Sequence, residues 1–280
     1  MPTQPYDVII IGAGVIGSLI ARALSRYRLR ILLMDKASDV GEGTTKANTA
    51  IVHAGYDAKP GTWKARLNVA GNALFEQVCA ELDVEFDRCG TYVVGIRPGD
   101  EEILRALYAR GVQNGVPGLA LLDGDEMRRR EPSLTEHTVG ALYAATGGLV
   151  DPFGLCIAAA ESAVLNGVEL ALETEATGFI RDGRKVVGVQ TTRGAFPARW
   201  VVIAAGLWAD DLMHAAGLDG FSITPRKGEY FVLDRVAAET VRTVLFPCPT
   251  PVSKGILVTR TIHGNVMLGP NANDTCSKED

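Results

Sequence analysis

The residues best spaced for chemistry lie at the start of the chain. In DVIIIGAGVIGSLIARAL, residues 7–24, an uninterrupted apolar run meets three glycines in the order G-x-G-x-x-G and passes into a helix-forming stretch. Gly12 permits a tight turn, Gly14 lets the backbone approach a pyrophosphate, and Gly17 lets the helix lie against the strand. A helix starting near Gly14 aims its unpaired N–H groups and positive dipole end at such an anion, with Ala13, Val15 and Ile16 on the same turn. A second apolar run, RILLMDK, closes on Asp35 and Lys36. A carboxylate at Asp35 can accept hydrogen bonds from a vicinal ribose diol. Together these residues read as a dinucleotide site. Proton transfer near neutral pH falls to four histidines, His53, His137, His214 and His263.

Positioning the glycine turn requires a parallel sheet. Val8–Ile11 and the ILLM run have the character of strands buried on both faces. The chain then gives GEGTTKANTAIVHAGYDAKPGTWKARLNVAGN, residues 41–72, whose first half is rich in Gly, Thr and Asn. That composition predicts a loop dense in hydrogen-bonding groups, among them Thr44, Thr45 and Asn48, suited to covering a pyrophosphate. From Thr62 the pattern turns helical, with Leu67, Leu74, Phe75, Val78 and Leu82 as expected core contacts. RCGTYVVGI reads as a strand and DEEILRALYARGVQNG as a helix capped by Asp100 and stopped near Gly115. DGDEMRRREPSL reads as a short helix closed by Pro132, its arginines a solvated face. A helix is expected over Leu155–Asn166, ending at Gly167. TGFIRDGRKVVGVQTTRGAFPARWVVIAAG reads as three strands with turns at Asp182-Gly183 and Arg193-Gly194.

Composition narrows the class. The chain has 280 residues, 47% apolar and 22% charged, enough for two domains and a sizeable core. A net charge of −5 argues against nucleic acid as a partner. The five cysteines, Cys79, Cys89, Cys156, Cys248 and Cys276, form no C-x-x-C pair. No metal site is expected from them, and they read as reduced thiols of a cytoplasmic protein. Asp7 rather than a basic region precedes the first apolar run, which is therefore no signal peptide, and nothing else reaches membrane-spanning length.

Five blocks, in order along the chain, carry a resemblance. NTAIVHAGYDAKPGTWKARL is similar to the N-S-G-x-x-H-x-G…K-P-G-[ST]-x-K-A-[KR]-L pattern of one branch of the D-amino-acid oxidase superfamily of FAD-dependent oxidoreductases. That branch holds L-2-hydroxyglutarate dehydrogenases and glycerol-3-phosphate dehydrogenase-like proteins. GGLVDPFGLCIAAAESAVLNGVEL resembles its Val-Asp-Pro turn and following helix. WVVIAAGLWADDL resembles the strand and turn that return beside the flavin. TPRKGEYFVLD and GILVTRTIHGNVMLGPNA resemble strands of its substrate domain. The implied fold is α/β: a Rossmann-like FAD-binding domain of the glutathione-reductase type, with an interleaved α+β substrate domain on a mostly antiparallel sheet. The expected division is 1–85 and 148–217 for FAD, and 86–147 and 218–280 for substrate. The resemblance implies a further C-terminal glycine-rich turn and helix, so the chain reads as a fragment.

The implied cofactor is FAD, bound by the glycine turn, Asp35, Lys36, Thr44, Thr45, Asn48, Ala205 and Gly206. The implied reaction oxidises a secondary alcohol of a small anionic hydroxy substrate, removing a hydride to flavin N5 and a proton to a base. His53, in the loop expected under the flavin, is the first candidate base and His263 the second. His214 reads as a partly buried, satisfied residue and His137 as surface. Arg226 or Lys227 is expected to meet the anion, with Tyr230 as a hydroxyl donor. Alternation puts Arg226 and Lys227 on opposite faces, so at most one of them is expected to reach the substrate. Lys46 and Arg66 suit a pyrophosphate or surface carboxylates equally. Glycerol 3-phosphate is the first substrate; L-2-hydroxyglutarate or a related 2-hydroxy acid is the alternative. Respiratory glycerol-3-phosphate dehydrogenases place arginine where this chain has Asp57, which would repel a phosphate. Lys59–Gly61 sides with the hydroxy-acid proteins, and PRKGEYFVLD with the glycerol-phosphate ones. An amino-acid or amine oxidase, or a non-catalytic flavoprotein subunit, are the other readings. The resemblance leaves the electron acceptor open between a quinone and a redox partner protein, and allows partner-subunit or peripheral association at the inner face of the cell membrane.

Overall fold

The computed structural model describes residues 4–250 and 255–279. It divides into two compact units. The first takes in the chain to Asn48, Pro152–Pro225 and the stretch from Asp274; the second takes in Thr49–Asp151 and Arg226–Asn273. The first division thus falls after Asn48 and not near residue 85. Its cause is the packing of Val69, on the helix Trp63–Leu82, against Ala54, Tyr56 and Val93 of the second unit's core.

In the first unit, strand β1 (Tyr6–Ile11) runs into helix α1 (Val15–Leu24) and strand β2 (Ile31–Met34). β1 pairs in parallel with β2 on one side and with Gly194–Ile203 on the other, and Glu169–Ala171 extends the parallel set beyond β2. The strands Ala176–Asp182, Lys185–Thr191 and Gly194–Ile203 form an antiparallel meander at one edge, with the turns where the Asp-Gly and Arg-Gly pairs predict them. Ile9, Ile10, Ile31, Leu32, Leu33 and Met34 are fully buried, each contributing roughly 1.5–3 kcal/mol of hydrophobic stabilisation. α1 and the helix Pro152–Leu165 cover one face, and the small side chains Ala21 and Ala163 let them approach closely. That helix begins at Pro152, three residues before the expected start, because proline at the first helical position lacks only an N–H that would be unbonded anyway.

The second unit is built on a seven-stranded sheet ordered Phe231–Leu233, Val266–Gly269, Leu257–Arg260, Val244–Pro247, Thr91–Gly95, Gly140–Ala144, Leu119–Asp123. All its pairings are antiparallel except that of Val244–Pro247 with Thr91–Gly95. A small antiparallel sheet joins β3 (Ile51–Val52) and Phe86–Asp87 to either side of Gly148–Val150. Helix α2 (Trp63–Leu82) is capped by the Thr62 hydroxyl, which accepts from the Ala65 N–H. The face that α2 buries runs through Ala65, Asn72 and Cys79, and Phe75 meets Phe86. Leu67 and Leu74, expected in the core, lie exposed on another face of the helix. Asp100 is the first residue of its helix and not the cap; its buried carboxylate accepts from the Ile96 and Arg97 N–H groups. Among the described residues no helix is long and apolar enough to cross a membrane. None of their His, Cys, Asp and Glu side chains cluster as a metal site would require.

Candidate functional site

The glycine turn is built as its spacing requires. A Cβ at Gly12 would stand 2.4 Å from the Ala204 carbonyl oxygen, and Gly12 has φ +107°, a left-handed conformation that favours glycine. A Cβ at Gly17 would stand 1.8 Å from the Gly12 carbonyl oxygen, so α1 lies directly on the turn. Gly14 is the N-cap of α1 and offers no side chain, and no acidic residue occupies the first turn. A Cβ at Gly14 would meet Thr45, whose Oγ1 would lie 3.1 Å away. That same hydroxyl accepts from the Val15 N–H at 3.0 Å, bringing the Gly/Thr/Asn loop onto the helix N-terminus. Ile16 is 62% exposed at that end of α1, an apolar surface beside the polar one.

Asp35 closes the other side. Its Oδ2 accepts from the Ala13 N–H at 2.7 Å and its Oδ1 from the Ala37 N–H at 2.9 Å. The carboxylate therefore clamps the turn, and each oxygen keeps a lone pair for a ribose hydroxyl. Lys36 lies over the Trp208 ring, 3.8 Å from its centroid. Asn48 donates to the Thr44 and Thr45 carbonyls, shaping the loop between them. Ala205 and the left-handed Gly206 form the turn after Gly194–Ile203, and the Ala204 N–H donates to the Ile11 carbonyl at 2.8 Å. Beneath the turn, the Ser18 hydroxyl donates to the Ala13 carbonyl at 3.3 Å and the Cys156 sulfur lies 3.5 Å from it. Neither was singled out from the sequence, because single Ser and Cys residues in apolar helices carry no spacing signal. Burial pushes the Cys156 thiol pKa up, as suits an inert packing group. These residues fit a dinucleotide: backbone donors and a helix N-terminus without a competing carboxylate, and an acid at the strand end.

In the second unit, His53 follows β3 as an exposed residue between buried Val52 and Ala54. Its ring stacks on Phe246 with centroids 5.7 Å apart. The loop after it is gripped at several points. Asn72 Nδ2 donates to the His53 carbonyl at 3.1 Å, and Asn114 Nδ2 donates to the Gly55 and Ala58 carbonyls at 2.9 and 2.7 Å. Arg110 donates to the Asp57 carbonyl. Gly55 has φ +113°, and a Cβ there would meet Val69 and Asn68 on α2 at under 3 Å. His53, Gly55, Tyr56, Asp57, Ala58, Lys64 and Asn68 line a cleft of about 110 Å³. Asn68 Oδ1 is buried and has no hydrogen bond.

His263 is exposed in the turn between Leu257–Arg260 and Val266–Gly269, its Nε2 3.9 Å from Asp151 Oδ1. His214 is exposed on a short helix, Ala209–Ala215, and not partly buried, because the apolar side chains there pack from other positions of the helix. His137 is exposed. Arg226 and Lys227 are both exposed, and Lys227 lies 3.9 Å from Glu229. Tyr230 is half-buried and hydrogen-bonded with Thr49; burial raises its pKa, so it is a neutral phenol able to donate. Lys46 pairs with Glu42, and Arg66 lies over Trp63, so both are engaged locally.

Comparison with known proteins supplies the family. A family profile described as FAD dependent oxidoreductase matches residues 7–280. A glycerol 3-phosphate dehydrogenase of Caloramator mitchellensis is 44% identical over 275 residues, covering 98% of this chain and 57% of that protein. An L-2-hydroxyglutarate dehydrogenase of Escherichia coli K12 is 33% identical over 272 residues, covering 95% of this chain and 64% of its own length. The chain thus spans less than two thirds of either relative. Among solved structures, a dithionite-reduced L-alpha-glycerophosphate oxidase from Mycoplasma pneumoniae with FAD bound superposes with a TM-score of 0.89 at 29% identity, covering 99% of this chain and 74% of that one. The chain belongs to the FAD dependent oxidoreductases.

Proposed function

We propose that the protein oxidises the secondary alcohol of a small anionic substrate, with glycerol 3-phosphate as that substrate. FAD is the cofactor of the family and supplies, when bound, the hydride acceptor. The first unit is then the FAD-binding domain, its dinucleotide half held by Gly12, Ala13, Gly14, Val15, Ile16, Gly17, Asp35, Lys36, Thr44, Thr45, Asn48, Ala205 and Gly206. The second unit is the substrate domain. His53 takes the hydroxyl proton: it is exposed on a loop whose backbone is fixed by side-chain donors, so its imidazole is presented in a defined place. That placement is the observation that carries the reading. Arg226 or Lys227 meets the substrate anion and Tyr230 donates to a substrate oxygen. His263 is the reserve base.

The choice of glycerol 3-phosphate draws support from the Caloramator dehydrogenase and the Mycoplasma oxidase. L-2-hydroxyglutarate is kept as a second reading by the Escherichia coli relative and by Asp57, a carboxylate lining the His53 cleft, which disfavours a phosphate there. The electron acceptor is a quinone or a redox partner protein. The test is anaerobic addition of glycerol 3-phosphate, L-2-hydroxyglutarate and glycine, each alone, to the FAD-loaded protein. Bleaching of the flavin by glycerol 3-phosphate is expected. Bleaching by the hydroxy acid alone would transfer the assignment to the second reading, and by glycine alone would reject alcohol oxidation.

A further inference from the structure

Asn72 lies near the middle of α2, in a place where the helix buries its side chain to 6% exposure. An asparagine there is unfavourable by propensity and must be satisfied to be tolerated in a core. It is satisfied completely and by groups distant in sequence. Its Nδ2 donates to the carbonyl of His53 at 3.1 Å and to the carbonyl of Thr146 at 2.7 Å. Its Oδ1 accepts from Arg88 Nη1 at 3.3 Å, and the same nitrogen donates to the Thr146 carbonyl at 2.7 Å. One amide thereby ties helix α2, the His53 loop and the segment before Gly148–Val150 into a single polar node. Only an amide can give two hydrogens to two carbonyls while accepting from a guanidinium. Aspartate would set a carboxylate against both carbonyls, and leucine would remove one hydrogen bond from each, leaving Thr146 only its bond from Arg88.

We infer that Asn72, supported by Arg88, is a positioning residue for His53. This rests on the reading of His53 as the base. The backbone bond from Asn72 fixes where the histidine leaves the loop, and the stack on Phe246 fixes its ring. Held from both ends, the imidazole meets the substrate hydroxyl without first being ordered. The loop residues beyond it are held separately by Asn114 and Arg110, so Asn72 is the member of this set that acts on His53 itself.

The test compares Asn72→Leu and Asn72→Ser with wild type in the FAD-loaded protein, each alone and combined with His53→Ala. Leucine keeps the volume and removes every donor; serine keeps one. Misplacing a reacting group by about 1 Å costs roughly a hundredfold in rate. Anaerobic flavin reduction is therefore expected to slow by about ten- to a hundredfold in Asn72→Leu and less in Asn72→Ser, with substrate affinity little changed. Added to His53→Ala, either change should slow reduction no further, because the pathway it serves is already gone. Cys79→Ala, buried on the same helix, lowers stability without touching the node and should leave the rate alone. In flavin-free protein, the His53 imidazole proton signals should move in both Asn72 variants while those of His137, His214 and His263 stay in place. An unchanged rate in the folded variants, or equal slowing with and without His53, overturns the inference. Should His53→Ala itself reduce at the wild-type rate, the base assignment fails. The NMR signals then decide the positioning alone, and unmoved His53 resonances overturn it.

Discussion

Replacing Asp35 with alanine should have two separable effects, because the carboxylate has two kinds of partner. In the protein without flavin it accepts from the Ala13 and Ala37 N–H groups at 2.7 and 2.9 Å. Ala13 is fully buried, so Asp35→Ala leaves its N–H without an acceptor in a place water does not reach. An unsatisfied buried donor costs about 1–3 kcal/mol. At about 2–4 °C per kcal/mol for a chain of this size class, thermal unfolding should begin roughly 2–12 °C lower. With FAD present a second loss appears. Hydrogen bonds from ribose hydroxyls to a carboxylate contribute about 1.5–3 kcal/mol, which corresponds to roughly ten- to a hundredfold in affinity. Asp35→Asn separates the two. Its carbonyl oxygen can still accept from Ala13 while its NH2 faces the Ala37 N–H, so it should lose less stability than alanine and a comparable share of FAD affinity. Differential scanning fluorimetry without flavin and titration of FAD by its fluorescence quenching measure the pair. Wild-type stability in Asp35→Ala would refute the clamp. FAD affinity within about threefold of wild type would refute the ribose contact.

Other outcomes follow from the same geometry. His53→Ala should slow anaerobic flavin reduction by roughly a hundredfold while substrate affinity changes little, as rapid-mixing absorbance would record; an unchanged rate moves the role to His263. Gly17→Ala sets a Cβ against the Gly12 carbonyl oxygen, so α1 must lift from the turn. Overpacking of that kind costs about 1–3 kcal/mol and should appear in denaturant unfolding of the flavin-free protein. The Lys278 ammonium beside Asp210 holds its carboxyl below the usual 3.8, at about 2. Its folded pKa is depressed, so the stabilisation is present above the ordinary carboxylate range and is lost as pH falls toward 2. The thermal stability gap between wild type and Asp210→Asn should therefore close over that window; a gap that persists at its lower end would exclude this linkage.

The parts of the fold set by local chemistry were legible in the sequence. Gly12, Gly14, Gly17 and Asp35 announce a strand, turn, helix and second strand, because the approach of Gly17 to Gly12 and the bond from the Ala13 N–H to Asp35 both close within the first strand–helix–strand segment. The meander of Ala176–Ile203 was legible because its turns carry Asp-Gly and Arg-Gly pairs. What long-range packing decides was hidden. Leu67 and Leu74 have the composition of a core face, yet α2 turns Ala65, Asn72 and Cys79 inward, a phase set by tertiary contacts that include Phe86 just beyond the helix and Thr146 far along the chain. The buried Asn72 left a trace, an asparagine after a glycine in a helix interior, but its partners could not be read from spacing. Parallel pairing of Val244–Pro247 with Thr91–Gly95 is likewise invisible to any local pattern.

In the proposed reaction a carbinol hydrogen leaves as hydride from a small anionic alcohol. The measurement that tests it most directly is anaerobic reduction of the FAD-loaded protein by glycerol 3-phosphate carrying deuterium at its secondary carbon. The unlabelled compound is expected to bleach the flavin, and the deuterated one to do so several-fold more slowly. Failure of glycerol 3-phosphate and of L-2-hydroxyglutarate to bleach it at all, with reduction by an amine or amino acid instead, would exclude hydride removal from an anionic alcohol.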